Sequence, residues 1–327
     1  MNKPVRWGIL GTGRIAHDFA NALRDTPGAQ LVACASRSQA SADAFGAEFD
    51  VPLRFPSYAD LAACDDVDLV YIGTPHPQHA ENALTILDGG KGVLCEKPFA
   101  LNLGQAQQVV GRARERNLFL MEAMWTRYLP ALDEVRRILA SGELGAVTQA
   151  TADFGFAAAF DPANRLFDPA LGGGALLDVG IYPLSILADL LGPVEKAQAQ
   201  AEIGPTGVDL QTVFTLRHAG GALSNCACSI KARSPIVLTL AGEHGHLRIN
   251  APFFRPSSIT LTLAGAEPST IPTPYLGNGY VHEALEAQRC WREGLIESPR
   301  MTHDQTLALM GVLDDIRRQI GLRYPGE

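Results

Sequence analysis

The segment "WGILGTGRIA" (7–16) limits what this chain can fold into more than any other. An apolar strand pattern runs directly into Gly11-x-Gly13-x-x-Ala16 and out into a helical pattern from about Arg14 to Asp25. Gly11 permits a tight turn, Gly13 lets backbone amides approach a pyrophosphate, and Ala16 keeps the helix close to the sheet. The helix start adds a favourable field for phosphates, with Thr12, Arg14 and Ile15 lining it. A glycine turn without a ligand is the weaker reading once strand and helix flank it in this order.

The same alternation continues through the first third. Strand patterns at "AQLVACAS" (29–36), "VDLVYIGT" (67–74), "GVLCEKP" (92–98) and "LFLMEAM" (118–124) are separated by helical stretches. Solid apolar strands alternating with helices predict a doubly wound parallel sheet covered on both faces, an α/β Rossmann domain over residues 1–122. From about Gly145 the pattern changes to period-two strands with turn residues between them, interrupted by one helical stretch at 173–192. Residues 123–327 are therefore expected to form an α+β domain with a large, mostly antiparallel open sheet. Two closing helices at about 280–294 and 302–320 are expected to pack back on the first domain.

Bulk properties exclude several classes. The 327 residues exceed one ordinary core, and 46% hydrophobic with 19% charged residues describes a packed globular chain. A net charge of −8 argues against nucleic acid as a partner. The start of the chain has no apolar h-region with a cleavage site, and no run of about 18 uncharged apolar residues argues for a membrane span. The six scattered cysteines show no Cys-x-x-Cys pair, so reduced thiols in a cytoplasmic protein are expected.

The end of the second strand offers Ser36 and Arg37 where an acid would bind the ribose hydroxyls of NAD. Without that carboxylate a 2′-phosphate meets no repulsion, and the guanidinium can pair with it. Arg37 as a solvated loop cation is the alternative, and NADP(H) is favoured over NAD(H). Thr74 and Pro75 stand at the carboxyl edge of the third strand, where such sheets bind ligands. His76 and His79 have a spacing that tempts a metal assignment. With no third ligand nearby, the better reading has one line the nicotinamide pocket and the other cap a helix, with no metal. "GVLCEKP" delivers Glu96 and Lys97 to the end of a buried strand, with Pro98 restricting the backbone behind them. Asp178 and Tyr182 are spaced i,i+4 on the later helix, either as a reacting pair or as a hydrogen-bonded core pair.

"GILGTGRIA", "TPHPQHAENAL", "EKPFALN", "EAMWTRYLP" and "GGGALLDVGIYPL" together resemble the Gfo/Idh/MocA oxidoreductase family, in order and spacing from Val5 to about Leu191. "EAMWTRYLP" and a tyrosine at 182, where many relatives have histidine, most resemble the dimeric dihydrodiol dehydrogenase branch, beside the NADP-dependent D-xylose dehydrogenases. The resemblance implies a homodimer through the second-domain sheet, and a substrate hydroxyl or carbonyl met by Lys97 and Tyr182. A free tyrosine ionises near about pH 10, and Lys97 with an oxidised nicotinamide would favour its phenolate. Tyr182 would then move the proton, Lys97 would stabilise charge on oxygen, and Asp178 would orient them or hold a neighbouring hydroxyl. Glu96 supports the lysine. Trp125 and Arg127 read as substrate wall or as interface packing, with Phe154, Phe156 and Arg165 as further candidates. The implied substrate is a sugar, polyol or trans-dihydrodiol. A 1,5-anhydrofructose-type reductase and a non-catalytic NADP-binding sensor are the alternatives.

Overall fold

The computed structural model describes residues 3–327. The chain divides into two compact units: residues up to Trp125 with Leu276–Leu307, and Thr126–Tyr275 with Ala308–Glu327.

In the first unit the elements run β1 (Val5–Leu10), α1 (Arg14–Asp25), β2 (Ala29–Ala35), α2 (Gln39–Glu48), β3 (Leu53–Phe55), α3 (Tyr58–Ala62), β4 (Leu69–Ile72), α4 (His79–Asp88), β5 (Gly92–Glu96), α5 (Leu103–Arg116) and β6 (Leu120–Ala123). Among the described residues six strands form one parallel sheet in the order β3-β2-β1-β4-β5-β6, the doubly wound arrangement expected. β1, β4 and β5 are almost wholly buried, as strands covered on both faces must be. Buried aliphatics such as Ile9 and Leu10 each contribute about 1.5–3 kcal/mol. Trp7 meets Phe19 edge-on, and Phe19 stacks on Tyr71 with centroids 3.8 Å apart, locking α1 onto the sheet. β3 is a three-residue strand that the hydrophobic pattern does not announce.

The second unit comprises α6 (Pro130–Ser141), β7 (Val147–Gly155), α7 (Ile181–Leu191), β8 (Val194–Ile203), β9 (Asp209–His218), β10 (Leu223–Ser229), β11 (Leu238–Gly242), β12 (Gly245–Ile249), β13 (Ser258–Leu263) and β14 (Ser269–Pro272). Among the described residues its strands order as β14-β13-β12-β11-β7-β10-β9-β8. Every neighbouring pair is antiparallel except β7 and β10, so the sheet is mostly antiparallel, as expected, with one parallel seam. β9 alternates buried and exposed residues from Thr212 to His218, which leaves one sheet face outward. Gln319 closes the β8 edge, accepting from the Ala199 amide and donating to the Ala197 carbonyl at 3.0 Å each.

The helix expected over 173–192 is two structures. Leu176–Gly180 form a π-helical turn and α7 follows it. Pro183 has no amide to donate to the preceding turn, so it is tolerated in the first turn of α7, directly after the wider π turn. The stretch Pro169–Leu191 is long and apolar enough to cross a membrane by length and composition, yet 78% of its most apolar window is buried inside the protein. Helices α8 (Val281–Arg292) and α9 (His303–Ile320) close the order. α8 and the start of α9 belong to the first unit, and α9 continues in the second from Ala308.

Candidate active site

In the first unit, Gly11 leaves β1 at φ +90°, and its amide donates to the Ala35 carbonyl. A Cβ there would press on Thr74 Cγ2 at 3.0 Å, so glycine is required. Gly13 differs. It caps α1 with ordinary extended backbone, and a Cβ on it would meet only the Gly73 carbonyl, at 3.9 Å. Nothing in the protein's packing demands glycine at 13. What it leaves is open space before the helix amides, beside exposed Arg14 and half-buried Ile15, and that space fits a pyrophosphate. Thr12 and Ser36 hydroxyls join at 3.0 Å across the cleft, and Arg37 is exposed just beyond. The Arg37 cation also opposes the rise that burial imposes on the Tyr58 phenol.

The ends of β4 and β5 are tied together by His79. Its ring lies fully buried between the Thr74 carbonyl (Nε2, 2.8 Å) and the Pro98 carbonyl (Nδ1, 2.9 Å). Carbonyls only accept, so a neutral ring donates to one of them at a time. Burial pushes the ring below its ordinary pKa and Lys97 adds to that, while the two carbonyls oppose them. Asn82 holds the Thr74 hydroxyl at 3.0 Å, and His76 lies edge-on to His79. No cluster able to hold a metal exists among the described residues.

Lys97 follows β5 half-buried, before a cis bond to Pro98. Two carboxylates brace this loop. Glu96 Oε1 accepts from the Tyr71 hydroxyl at 2.7 Å and Oε2 from the Lys97 amide at 3.2 Å. Glu122 accepts from the Phe99 amide at 3.2 Å and the Thr306 hydroxyl at 3.0 Å. Behind them Glu283 is fully buried with neither oxygen hydrogen-bonded. Burial, and then the charge of Glu96, hold its acid well above the usual carboxylate range. Trp125 is buried and stacks on Tyr280, centroids 4.3 Å apart.

In the second unit, Tyr182 stands in an aromatic surround. Phe154 stacks on Phe254 at 4.5 Å with planes 2° apart, and both rings lie 5.4–5.7 Å from Tyr182. Phe253 meets Phe154 edge-on. Asp178 is buried on the π turn and receives both nitrogens of the Arg165 fork, at 3.1 and 3.4 Å, while that arginine is largely exposed. Phe156 is tied by its amide to the Ser229 carbonyl. Arg127, open in the sequence between substrate wall and packing, is held within the protein. It is 1% exposed, and its described bonds reach the Ser185 hydroxyl and carbonyl at 2.9 Å each, with Asp189 at 3.9 Å. Those bonds brace α7.

Sequence reasoning did not find Tyr58, Tyr280, Glu122, Glu283 or Phe254. Glu122 opens the "EAMWTRYLP" motif but serves the Phe99 amide 23 positions earlier, and the other four belong to no pattern of their own.

Comparisons with known proteins place the chain in a family. A family description "Oxidoreductase family, NAD-binding Rossmann fold" matches residues 5–124, and the "GFO/IDH/MocA C-terminal domain" matches residues 132–248. The chain is 39% identical to trans-1,2-dihydrobenzene-1,2-diol dehydrogenase of Danio rerio and 35% identical to that of Homo sapiens, over 98% of each chain in both cases. A 3-ketoreductase from Actinomadura kijaniata, solved with NADP and TDP-benzene, superposes with a TM-score of 0.88 at 26% identity, over 97% of this chain and 98% of that one. An aldose-aldose oxidoreductase from Caulobacter crescentus shares the fold, with a TM-score of 0.89 at 24% identity over 97% of both chains. With both halves matched and relatives aligned end to end, this chain belongs to the Gfo/Idh/MocA family of oxidoreductases.

Proposed function

We propose that the protein is an NADP(H)-dependent dehydrogenase for a trans-dihydrodiol, a vicinal diol on an unsaturated six-membered ring. The observation that carries this reading is the surround of Tyr182. The aromatic side chains of Phe154 and Phe254 beside Tyr182 suit a flat, unsaturated ring better than a fully hydroxylated one. End-to-end similarity to trans-1,2-dihydrobenzene-1,2-diol dehydrogenases supports it. A sugar or polyol is the second reading, favoured by the Arg165–Asp178 pair, which offers charged hydrogen-bonding groups to a hydroxyl-rich ligand. For the cofactor, Ser36 in place of an acid, exposed Arg37 and nearby Tyr58 favour a 2′-phosphate.

The nicotinamide, when bound, supplies the hydride acceptor for oxidation and the donor for reduction. The chain's own groups handle the proton and the charge. In oxidation Tyr182 Oη accepts the hydroxyl proton as the carbinol carbon gives up its hydride, and the C–O bond becomes a carbonyl. Lys97 Nζ donates a hydrogen bond to that oxygen and stabilises its developing negative charge. Asp178 holds the neighbouring hydroxyl. His79, Glu96 and Glu122 keep the Lys97 loop in place. A homodimer through the outward sheet face, where Val213 and Leu223 are exposed, completes the proposal. Six unpaired cysteines suit a cytoplasmic setting.

The test mixes purified protein with NADP⁺ and a panel containing trans-1,2-dihydrobenzene-1,2-diol, D-xylose and myo-inositol, following reduced-nicotinamide absorbance. The dihydrodiol should exceed the sugars in kcat/KM by about tenfold or more. A preference for D-xylose would overturn the diol reading. No turnover with any compound, despite bound NADP⁺, would leave a sensor instead of an enzyme.

A further inference from the structure

Asp209, the first residue of β9, is fully buried beneath the glycine turn that opens the segment carrying Asp178 and Tyr182. Its Oδ2 accepts from the Leu176 amide at 2.8 Å and from the Thr212 hydroxyl at 2.7 Å. Its Oδ1 occupies the place a side chain at 174 would need. A Cβ on Gly174, whose φ is +115°, would fall 2.3 Å from that oxygen. Ala175 precedes the π turn and has no capping side chain, so a carboxyl from the sheet does the work of a helix cap. A second hold comes from the segment after α9. The Tyr324 hydroxyl donates to the Gly173 carbonyl at 2.7 Å. The Arg317 guanidinium lies 5.2 Å over the Tyr324 ring and forks onto the Glu327 carboxylate at 2.7 and 2.9 Å.

From these contacts we propose that Asp209 and Tyr324 are positioning residues for the reaction, clamping the first turn of the helical segment that carries Asp178 and Tyr182. The inference rests on reading those two as reacting groups. The clamp has consequence because proton transfer needs near-attack geometry, and a misplacement of 1 Å can cost about 10²-fold in rate. The buried carboxyl also has a chemical character that makes the test decisive. Burial pushes the Asp209 acid up to about 7, while the Thr212 hydroxyl and the amides of Leu176, Ala175 and Asp209 itself pull it back. The other titratable groups facing it are the Cys228 thiol and the Tyr324 phenol, both held above their ordinary values chiefly by burial. Asparagine imitates the neutral acid in shape and keeps an acceptor for Leu176 and Thr212. Alanine supplies neither.

The test compares Asp209→Ala, Asp209→Asn and Tyr324→Phe in the full chain, by hydrogen exchange at amides 174–182 and by turnover of trans-1,2-dihydrobenzene-1,2-diol with NADP⁺. Asp209→Ala should exchange about tenfold faster there. It should also lose about 10²-fold in kcat at unchanged NADP⁺ affinity. Asp209→Asn should restore both to within about threefold of wild type, and Tyr324→Phe should give a smaller loss, about threefold in kcat. Wild-type exchange in Asp209→Ala overturns the proposal, and so does an asparagine variant no better than alanine. If Asp209→Ala does not fold, Tyr324→Phe decides, because unchanged exchange and kcat in that variant overturn the clamp. Failure of the underlying reading is seen separately, as wild-type turnover in Tyr182→Phe.

Discussion

The two units hold the side chains proposed to react, Lys97 and Tyr182, in different ways. Lys97 leaves the end of a buried strand, and the bonds that brace its loop join residues 1 to 25 positions apart: Glu96 with Lys97, His79 with Pro98, Phe99 with Glu122 and Tyr71 with Glu96. Tyr182 leaves an irregular helix start whose clamps span 33 residues to Asp209 and 151 between Gly173 and Tyr324. A strand in the middle of a parallel sheet is fixed by its neighbours along its whole length, so the bonds its end makes directly are short-range, although Thr306 reaches Glu122 behind it from 184 positions away. A helix start has unsatisfied amides and no ladder, so it borrows partners from wherever the fold brings them.

The largest effect should come from the two groups compared. Lys97→Met and Tyr182→Phe should each lower kcat by about 10²–10⁴-fold while NADP⁺ binding, followed by fluorescence titration, stays near wild type. Near-normal turnover in either would break the symmetry of roles proposed for them. A smaller effect tests whether the first unit reads a 2′-phosphate. Arg37→Ser should lower kcat/KM with NADP⁺ by about 10–100-fold and leave the NAD⁺ value unchanged, because only the charged hydrogen bond is lost. Equal losses with both cofactors would remove Arg37 from phosphate recognition. The smallest effect concerns the buried acid behind Lys97. Glu283 has a raised folded-state pKa, so its contribution to stability is complete below the unfolded value of about 4.3 and is lost as pH rises through the raised one. Glu283→Gln should therefore melt above wild type at alkaline pH, by about 2 °C, with the gap closing in acid. An equal gap at every pH would show that Glu283 does not titrate.

The same contrast explains what could be read from the chain alone. Gly11, Gly13, Ser36, Arg37 and the strand carrying Glu96 and Lys97 were legible because period, turn chemistry and order act over a few residues. The short strand β3 was not, since three half-buried residues carry no period. The parallel pairing of β7 with β10 escaped because period-two alternation is the same in either direction. The π turn could not be foreseen from Asp178 and Tyr182, whose spacing is also helical. The sequence left Arg127 open between substrate wall and packing, because the burial that brings its guanidinium to Ser185 is set by α7, 58 residues away. Tyr58, Phe254, Glu283 and Asp209 act through partners the sequence does not adjoin.

Gln319 gives the second sheet a boundary condition. Its amide occupies the carbonyl of Ala197 and the amide of Ala199, two backbone groups that β8 would otherwise offer to an added strand. At the opposite margin Pro272 ends β14 without an N–H to donate. At these positions both edges of the sheet disfavour pairing with an added strand, which guards against growth along its hydrogen-bonding direction.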